Sequence, residues 1–317
     1  MSSKQFREWT HPRRILLATD LTDLGFTLPI AKQQALDYKA ELRIVHVLPD
    51  PGAAPIDPVL MVYFDAAAMQ KSAETTLGNV VADARNEGIK CSFQLATGHT
   101  VKEILAAAAE WKADRLIAGS HGKAKFHHHI LGSIAESIFH QIEIPVLAVG
   151  PKAVATDASV EGHPRIVFAT SLDQSCRRIA EFALSVAEKR SADITVLHVL
   201  QNVVPEHPTT VSARGYAYKM MEDLLAVKPL RKARASCEVA YGQPAESILA
   251  YAKHHAADMI ILGASAHSAF NPRFIPGNAY RVLCEAQCPV LVLKAESPWQ
   301  SVPRHHSTRD QQEQTPA

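Results

Sequence analysis

Short runs of β-branched and aliphatic residues alternate along this chain with longer Ala- and Leu-rich stretches of helical period. In the first half the apolar runs predict strands at residues 14–19, 42–48, 90–96, 115–118 and 146–149. Helices are predicted over 26–39, 59–87, 101–111 and 133–141. Nearly unbroken apolar strands separated by helices are the pattern of a parallel sheet covered on both faces, so the expected class is α/β. The segment 49–58 carries four prolines and is expected to be a surface loop, because proline continues neither neighbouring element.

The pattern then repeats. Arg14-Ile-Leu-Leu-Ala-Thr-Asp20 reads against Arg165-Ile-Val-Phe-Ala-Thr-Ser171, and Ile44-Val-His46-Val47 against Val196-Leu-His198-Val199. Further on, Ala96-Thr-Gly98 matches Ala240-Tyr-Gly242, and Ile144-Pro145-Val matches Cys288-Pro289-Val. The offset is 152 from His46 to His198 but 144 from Gly98 to Gly242, so the second copy is eight residues shorter between these blocks. Four blocks in the same order define an internal duplication. Residues 10–150 and 164–295 are read as two domains joined by a polar linker at 151–163. The aperiodic tail at 296–317 is expected to be disordered.

Charge and cysteine content narrow the class of partners. A net charge of +1 gives no global pull toward nucleic acid or membrane, and no uncharged apolar stretch reaches the ~20 residues of a membrane span. The opening residues lack the apolar core of a secretory signal, and five scattered cysteines without C-x-x-C fit free thiols in a reducing compartment. A cytoplasmic protein is expected.

One segment carries candidate chemistry. Gly119-Ser-His-Gly122, a nine-residue spacer and Gly132-Ser133 form G-x-x-G-(x9)-G-S between an apolar strand and a helix. Glycines at a strand end let backbone N–H groups approach a polyphosphate, and a helix start adds unpaired N–H donors. In a doubly wound sheet, ligands sit at the carboxyl ends of the strands where the strand order reverses. Asp20, Val47 and Gly119 all fall at such ends. Asp20 would accept hydrogen bonds from ribose or adenine, and Ala18 with Val47 leaves an apolar slot for a base. Taken singly, Gly119 and Gly122 are as readily turn glycines, Ser133 a helix cap and Asp20 a cap for the next helix. Their joint placement favours nucleotide.

Asp20, the strand through His46-Val47, the glycine segment and the Ile-Pro-Val strand together resemble the universal stress protein family in its tandem form. The resemblance covers about residues 13–294. It implies two doubly wound five-stranded parallel-sheet domains, each Rossmann-like and of the adenine-nucleotide-binding type, with ATP bound where the glycine pattern is kept. Carried over, the ATP site takes Ala18, Asp20, Val47, Ala118, Gly119, His121, Gly122, Gly132, Ser133 and Ile134. The resemblance also implies a divalent ion, Mg or Mn, beside the triphosphate, although no carboxylate cage is evident. The closing strands 145–149 and 289–293 would pair across the two copies and make an intramolecular pseudo-dimer. A homodimer of tandem chains and a protein partner are expected in addition.

The second copy departs at the decisive positions. Asp20 becomes Ser171, Gly122 becomes Ala266, Gly132 becomes Pro276 and Ser133 becomes Gly277. One ATP site, in the first copy, is therefore expected. His127-His-His129 reads as a solvated loop adding positive character near phosphates rather than a metal site. Cys284 and Cys288 read as buried inert thiols rather than a redox pair. Ser120-His121 lacks an acid partner for a hydrolase dyad. The expected role is nucleotide-responsive regulation or stress survival without catalysis. A slow ATPase or adenylating enzyme, or a structural module binding no nucleotide, are the alternatives.

Overall fold

A computed structural model describes residues 3–50, 65–120, 131–153, 163–173, 176–264 and 277–294. The first half runs α1(Ser3–Thr10), β1(Arg14–Ala18), α2(Leu24–Tyr38), β2(Glu41–Leu48), α3(Ala66–Asn86), β3(Cys91–Thr97), α4(Thr100–Glu110), β4(Arg115–Gly119), α5(Ser133–Gln141) and β5(Val146–Val149). The second runs β6(Arg165–Ala169), α6(Cys176–Arg190), β7(Asp193–Leu200), α7(Pro208–Leu225), β8(Ala235–Tyr241), α8(Pro244–His254), β9(Met259–Ala264), α9(Asn278–Glu285) and β10(Val290–Lys294).

All strands lie in one ten-stranded sheet of order β3-β2-β1-β4-β5-β10-β9-β6-β7-β8. Within each half the pairing is parallel, while β5 and β10 pair antiparallel with Leu147 opposite Leu291. The edges left by two apolar closing strands thus satisfy each other. The expected doubly wound five-stranded domains and their pseudo-dimeric union are both present.

Helices cover both faces, and each layer of core runs through both halves. One layer joins α2, α3, α6 and α7 through residues such as Ile30, Leu77, Phe182 and Met221. The other joins α4, α5, α8 and α9 through Ile104, Ile138, Ile248 and Val282. The central strands sit between these layers, which explains their nearly continuous apolar sequence: Ile15, Leu16 and Leu17 are all fully buried.

The duplication extends to the hydrogen bonds. Asp114 Oδ2 accepts from the Arg14 N–H at 2.9 Å, and Asp258 Oδ2 accepts from the Arg165 N–H at 2.6 Å. Leu21 and Leu172 follow the first strand of each half with φ of 71° and 59°. Their N–H groups donate to Thr19 Oγ1 and Thr170 Oγ1 at 2.9 and 3.1 Å. A leucine in the left-handed region costs roughly 1–2 kcal/mol, and the same turn is kept in both copies.

Two elements differ from the sequence reading. α1 has no counterpart there: its register is fixed by tertiary contacts, with Trp9 buried in the core and Phe6 edge-on to Phe182 of the second half at 6.4 Å. The helix expected over 59–87 is described from Ala66, where Asp65 caps it by accepting from the Ala68 N–H at 2.8 Å. Most of the proline loop, most of the linker and the tail lie outside the described residues.

Candidate functional site

A cleft of about 990 Å³ opens at the carboxyl ends of β1, β2 and β4. It lies at the point in the order β2-β1-β4 where the winding reverses, the expected ligand position in such a sheet. Ala18, Asp20, Val47, Ala118, Gly119, Gly132, Ser133 and Ile134 all line it. These are all the anticipated site residues that the structure describes; His121 and Gly122 lie outside the described residues, as do His127 to His129.

The floor is made by small side chains. Ala18 and Ala118 are register partners on adjacent strands and each is 6% exposed. Val47 continues this floor from β2, while Met69 of α3 and Ile134 of α5 stand exposed at the mouth. The result is a cleft with a largely apolar floor.

The polar end is the start of α5. Gly132 is its N-cap at φ −58° and ψ 139°. The Gly132 N–H donates to Ser120 O at 3.1 Å, and the Glu136 N–H donates to Gly132 O at 2.9 Å. Gly132 therefore anchors the helix start, and its own N–H is not offered to a ligand. The Ser133, Ile134 and Ala135 N–H groups have no acceptor among the described residues, as expected for the first turn of a helix. Their dipoles favour an anion at this end of the cleft.

An acidic corner faces that helix. Asp20 Oδ1 accepts from the Thr22 N–H at 2.8 Å and from Thr22 Oγ1 at 2.6 Å, an Asx turn that fixes the carboxylate. Oδ2 has no partner among the described residues. The N-cap of α2 is Asp23 rather than Asp20, and Asp23 is buried and accepts from Thr19 Oγ1. A Cβ on Gly119 would lie 2.6 Å from Asp23 Oδ2, so this glycine is needed for the approach of that carboxylate as well as for any ligand. His46 Nδ1–H donates to Thr19 O at 2.9 Å, which orients the ring with Nδ1 carrying a proton. The same bond joins His198 to Thr170 in the second half.

Thr19, Asp23, His46 and the wall of α3 were not anticipated as part of the site. The recurrence of His46 as His198 was the available signal for the histidine. The α3 wall had none, because its approach is set by packing across β2 and β3.

Burial pushes the Asp23 carboxyl above its ordinary value of 3.8; the Thr19 hydrogen bond opposes the rise and the nearby Asp20 charge adds to it. A raised carboxyl pKa favours the folded state only in its protonated form. That contribution is complete below pH 3.8 and is lost as pH rises through the higher folded value. Asp23→Asn is expected to remove the dependence, so the variant gains stability relative to wild type as pH rises through this acid window. Urea unfolding across a pH series measures it, and a constant difference between the two proteins would contradict it.

Among the described residues the second half carries a bulkier side chain at the equivalent strand position. Leu262 stands where Ala118 stands, opposite Ala169 instead of Ala18. Gly263 corresponds to Gly119, but a Cβ there would lie 2.1 Å from Ile179 Cδ1. Leu262 thus puts a buried branched side chain where the first half has a floor alanine, and on the opposite face of the strand Ile179 packs against Gly263 where Asp23 packs against Gly119. One point of the sequence comparison changes. Gly277 is the N-cap of α9, the role that Gly132 plays for α5, so the second helix starts one residue later and keeps a capping glycine. α9 is correspondingly one residue shorter, at eight residues against nine. Ala266 and Pro276 lie outside the described residues.

Other candidates resolve simply. Cys284 and Cys288 are buried free thiols, and burial pushes each up to about 12, so neither is a reactive thiolate near neutrality. Ser120 is fully buried, which removes it as an accessible nucleophile. His254 and His255 meet edge to face at 4.9 Å, with His255 stacked on Tyr251. Among the described residues no three His, Cys, Asp or Glu side chains converge on a metal position, so this residue set does not fit a protein-held divalent ion. No described helix is long and apolar enough to cross a membrane.

Comparison with known proteins places this geometry. The model of the Universal stress protein family matches residues 12–150 and again residues 163–294. A universal stress protein of a Synechocystis species is 28% identical over 184 residues, 57% of this chain and 58% of the relative. The chain thus spans a little over half of that relative's length. A universal stress protein of Methanocaldococcus jannaschii is 26% identical over 148 residues, 43% of this chain and 81% of the relative. A solved universal stress protein from Archaeoglobus fulgidus shares the fold at a TM-score of 0.68 and 21% identity, covering 90% of this chain and 97% of that one. With the family model matched once in each half, this chain belongs to the universal stress protein family in its tandem-domain form.

Proposed function

We propose that the chain binds one molecule of ATP in the first-half cleft and acts as a nucleotide-responsive regulatory or stress-survival protein. The domains are residues 10–150 and 164–295, and the second keeps the fold without an open site. The observation that carries this reading is the pairing of an alanine-floored apolar slot with three N–H groups at the start of α5 that have no acceptor among the described residues. An adenine fits the first and a polyphosphate the second, with Asp20 Oδ2 placed to accept from a ribose hydroxyl. From the family resemblance, His121 and Gly122 are proposed as further ATP contacts. Any Mg or Mn would be held by the phosphates, since the described side chains supply no cage. Binding rather than turnover is the function, in keeping with a family whose members are generally not classical enzymes. The cytoplasm as location, a homodimer of tandem chains and a protein partner that reads the nucleotide state belong to the same reading. A nucleotide shifts such a partner surface only by binding one conformation of the site better than another.

Equilibrium dialysis with ATP tests this. Wild type is expected to retain ATP, and Asp20→Ala to weaken retention about tenfold through loss of a charge-assisted hydrogen bond. Proline at 132 is compatible with φ −58° but removes the N–H that anchors the helix start to Ser120 O. Gly132→Pro is therefore expected to misplace the three donors and bind more weakly still. No retention by wild type, or equal retention by all three proteins, would overturn the reading.

A further inference from the structure

The helix that presents its N–H groups to the cleft is held at both ends by the other half of the chain. The Leu131 N–H donates to Tyr280 Oη of α9 at 2.9 Å, immediately before the Gly132 cap. At the far end Lys294 Nζ of β10 donates to His140 O of α5 at 2.7 Å. Matching Val146 to Val290 puts Gly150 at the place of Lys294, and a glycine has no side chain to return that bond.

We infer that Tyr280 is a positioning residue for the first-half site, through which the second half sets the placement of the Leu131–Ser133 backbone. The inference rests on the nucleotide reading above. Leu131 is buried at 1% exposure, so its N–H must find an acceptor inside the protein, and the Tyr280 phenol is that acceptor. The bond fixes the backbone one residue ahead of Gly132. The Ser133, Ile134 and Ala135 donors are then in place before a ligand arrives, and binding does not have to order them. Burial also raises the Tyr280 phenol pKa, so its own proton stays on through neutral pH. The second half thus contributes to the first-half site: β10 completes the sheet, and Tyr280 and Lys294 hold the helix that the ligand meets.

Tyr280→Phe tests this, because it removes one oxygen and leaves the ring packing. Two quantities are compared with wild type: ATP affinity by calorimetry, and hydrogen exchange at the Leu131–Ser133 amides in nucleotide-free protein. The expected result is an affinity about three- to tenfold weaker and faster exchange at these amides, with β10 amides unchanged and only a small fall in Tm. Equal ATP affinity in the two proteins overturns the inference while the nucleotide reading stands, whatever the exchange shows. If neither protein binds ATP, the nucleotide reading falls and exchange alone decides: unchanged protection at Leu131 overturns the anchoring, and faster exchange there upholds it.

Discussion

Ala118→Leu is expected to abolish ATP binding by at least a hundredfold while leaving the fold intact. The substitution installs in the first half the residue that the second half carries as Leu262. That leucine is accommodated at 5% exposure on the same strand position, so the backbone tolerates it. In the first half, however, Ala118 lies beside Ala18 on the floor of the cleft. Three added carbons there would occupy the slot proposed for the base, and a well-packed floor has no room to yield. The loss should be steric and not reversible by salt or pH. Isothermal calorimetry reads the affinity and thermal unfolding the fold. Undiminished binding by a folded variant would show that the base does not sit over Ala118.

The largest expected effect on stability is at Arg115, which is fully buried at the start of β4. Its Nη1 donates to Gln34 Oε1 at 2.6 Å and its Nη2 to Trp9 O at 3.3 Å, with the guanidinium 4.9 Å from the Tyr38 ring centroid. Nε has no partner among the described residues. Nearby, Arg190 of α6 pairs with Asp37 of α2 at 3.3 Å, so this region also joins the two halves. Arg115→Ala would leave a cavity and strand the Gln34 and Trp9 acceptors, at a cost of about 3–5 kcal/mol. Arg115→Met keeps most of the volume and removes an imperfectly paired charge, so it should lose less than half as much. Urea unfolding of both variants measures the difference. Equal losses would mean that the pairing, and not the packing, stabilises this position.

The elements themselves were legible because each is written in local periodicity. The runs at 14–19, 115–118 and 146–149 are central strands covered on both sides, and burial leaves them nearly unbroken apolar runs, while 42–48 keeps the signal despite half-buried Arg43 and His46. The site was legible where function depends on backbone: Gly119, Gly132 and Ser133 stand at strand and helix ends that the pattern marks. What could not be read was set by contacts distant in sequence. α1 is fixed by Phe182, which lies in the second half. The Asp23 carboxylate explains Gly119 only once α2 is docked against β4. The alignment of the copies pointed to Pro276 and Ser171, whereas among the described residues the difference between the two floors is Leu262 at the place of Ala118. Leu262 looks like an ordinary core residue in the sequence, since a large and a small apolar floor residue leave the same pattern. The shift of the capping glycine from 132 to 277 was likewise hidden, because a helix one residue shorter leaves no mark on hydrophobic period.

The claim of a single open site in a duplicated chain is a statement about stoichiometry, and native mass spectrometry with saturating ATP measures it directly. One ATP per chain, lost in Ala118→Leu, is the expected result. Two ATP per chain, or none, would contradict it.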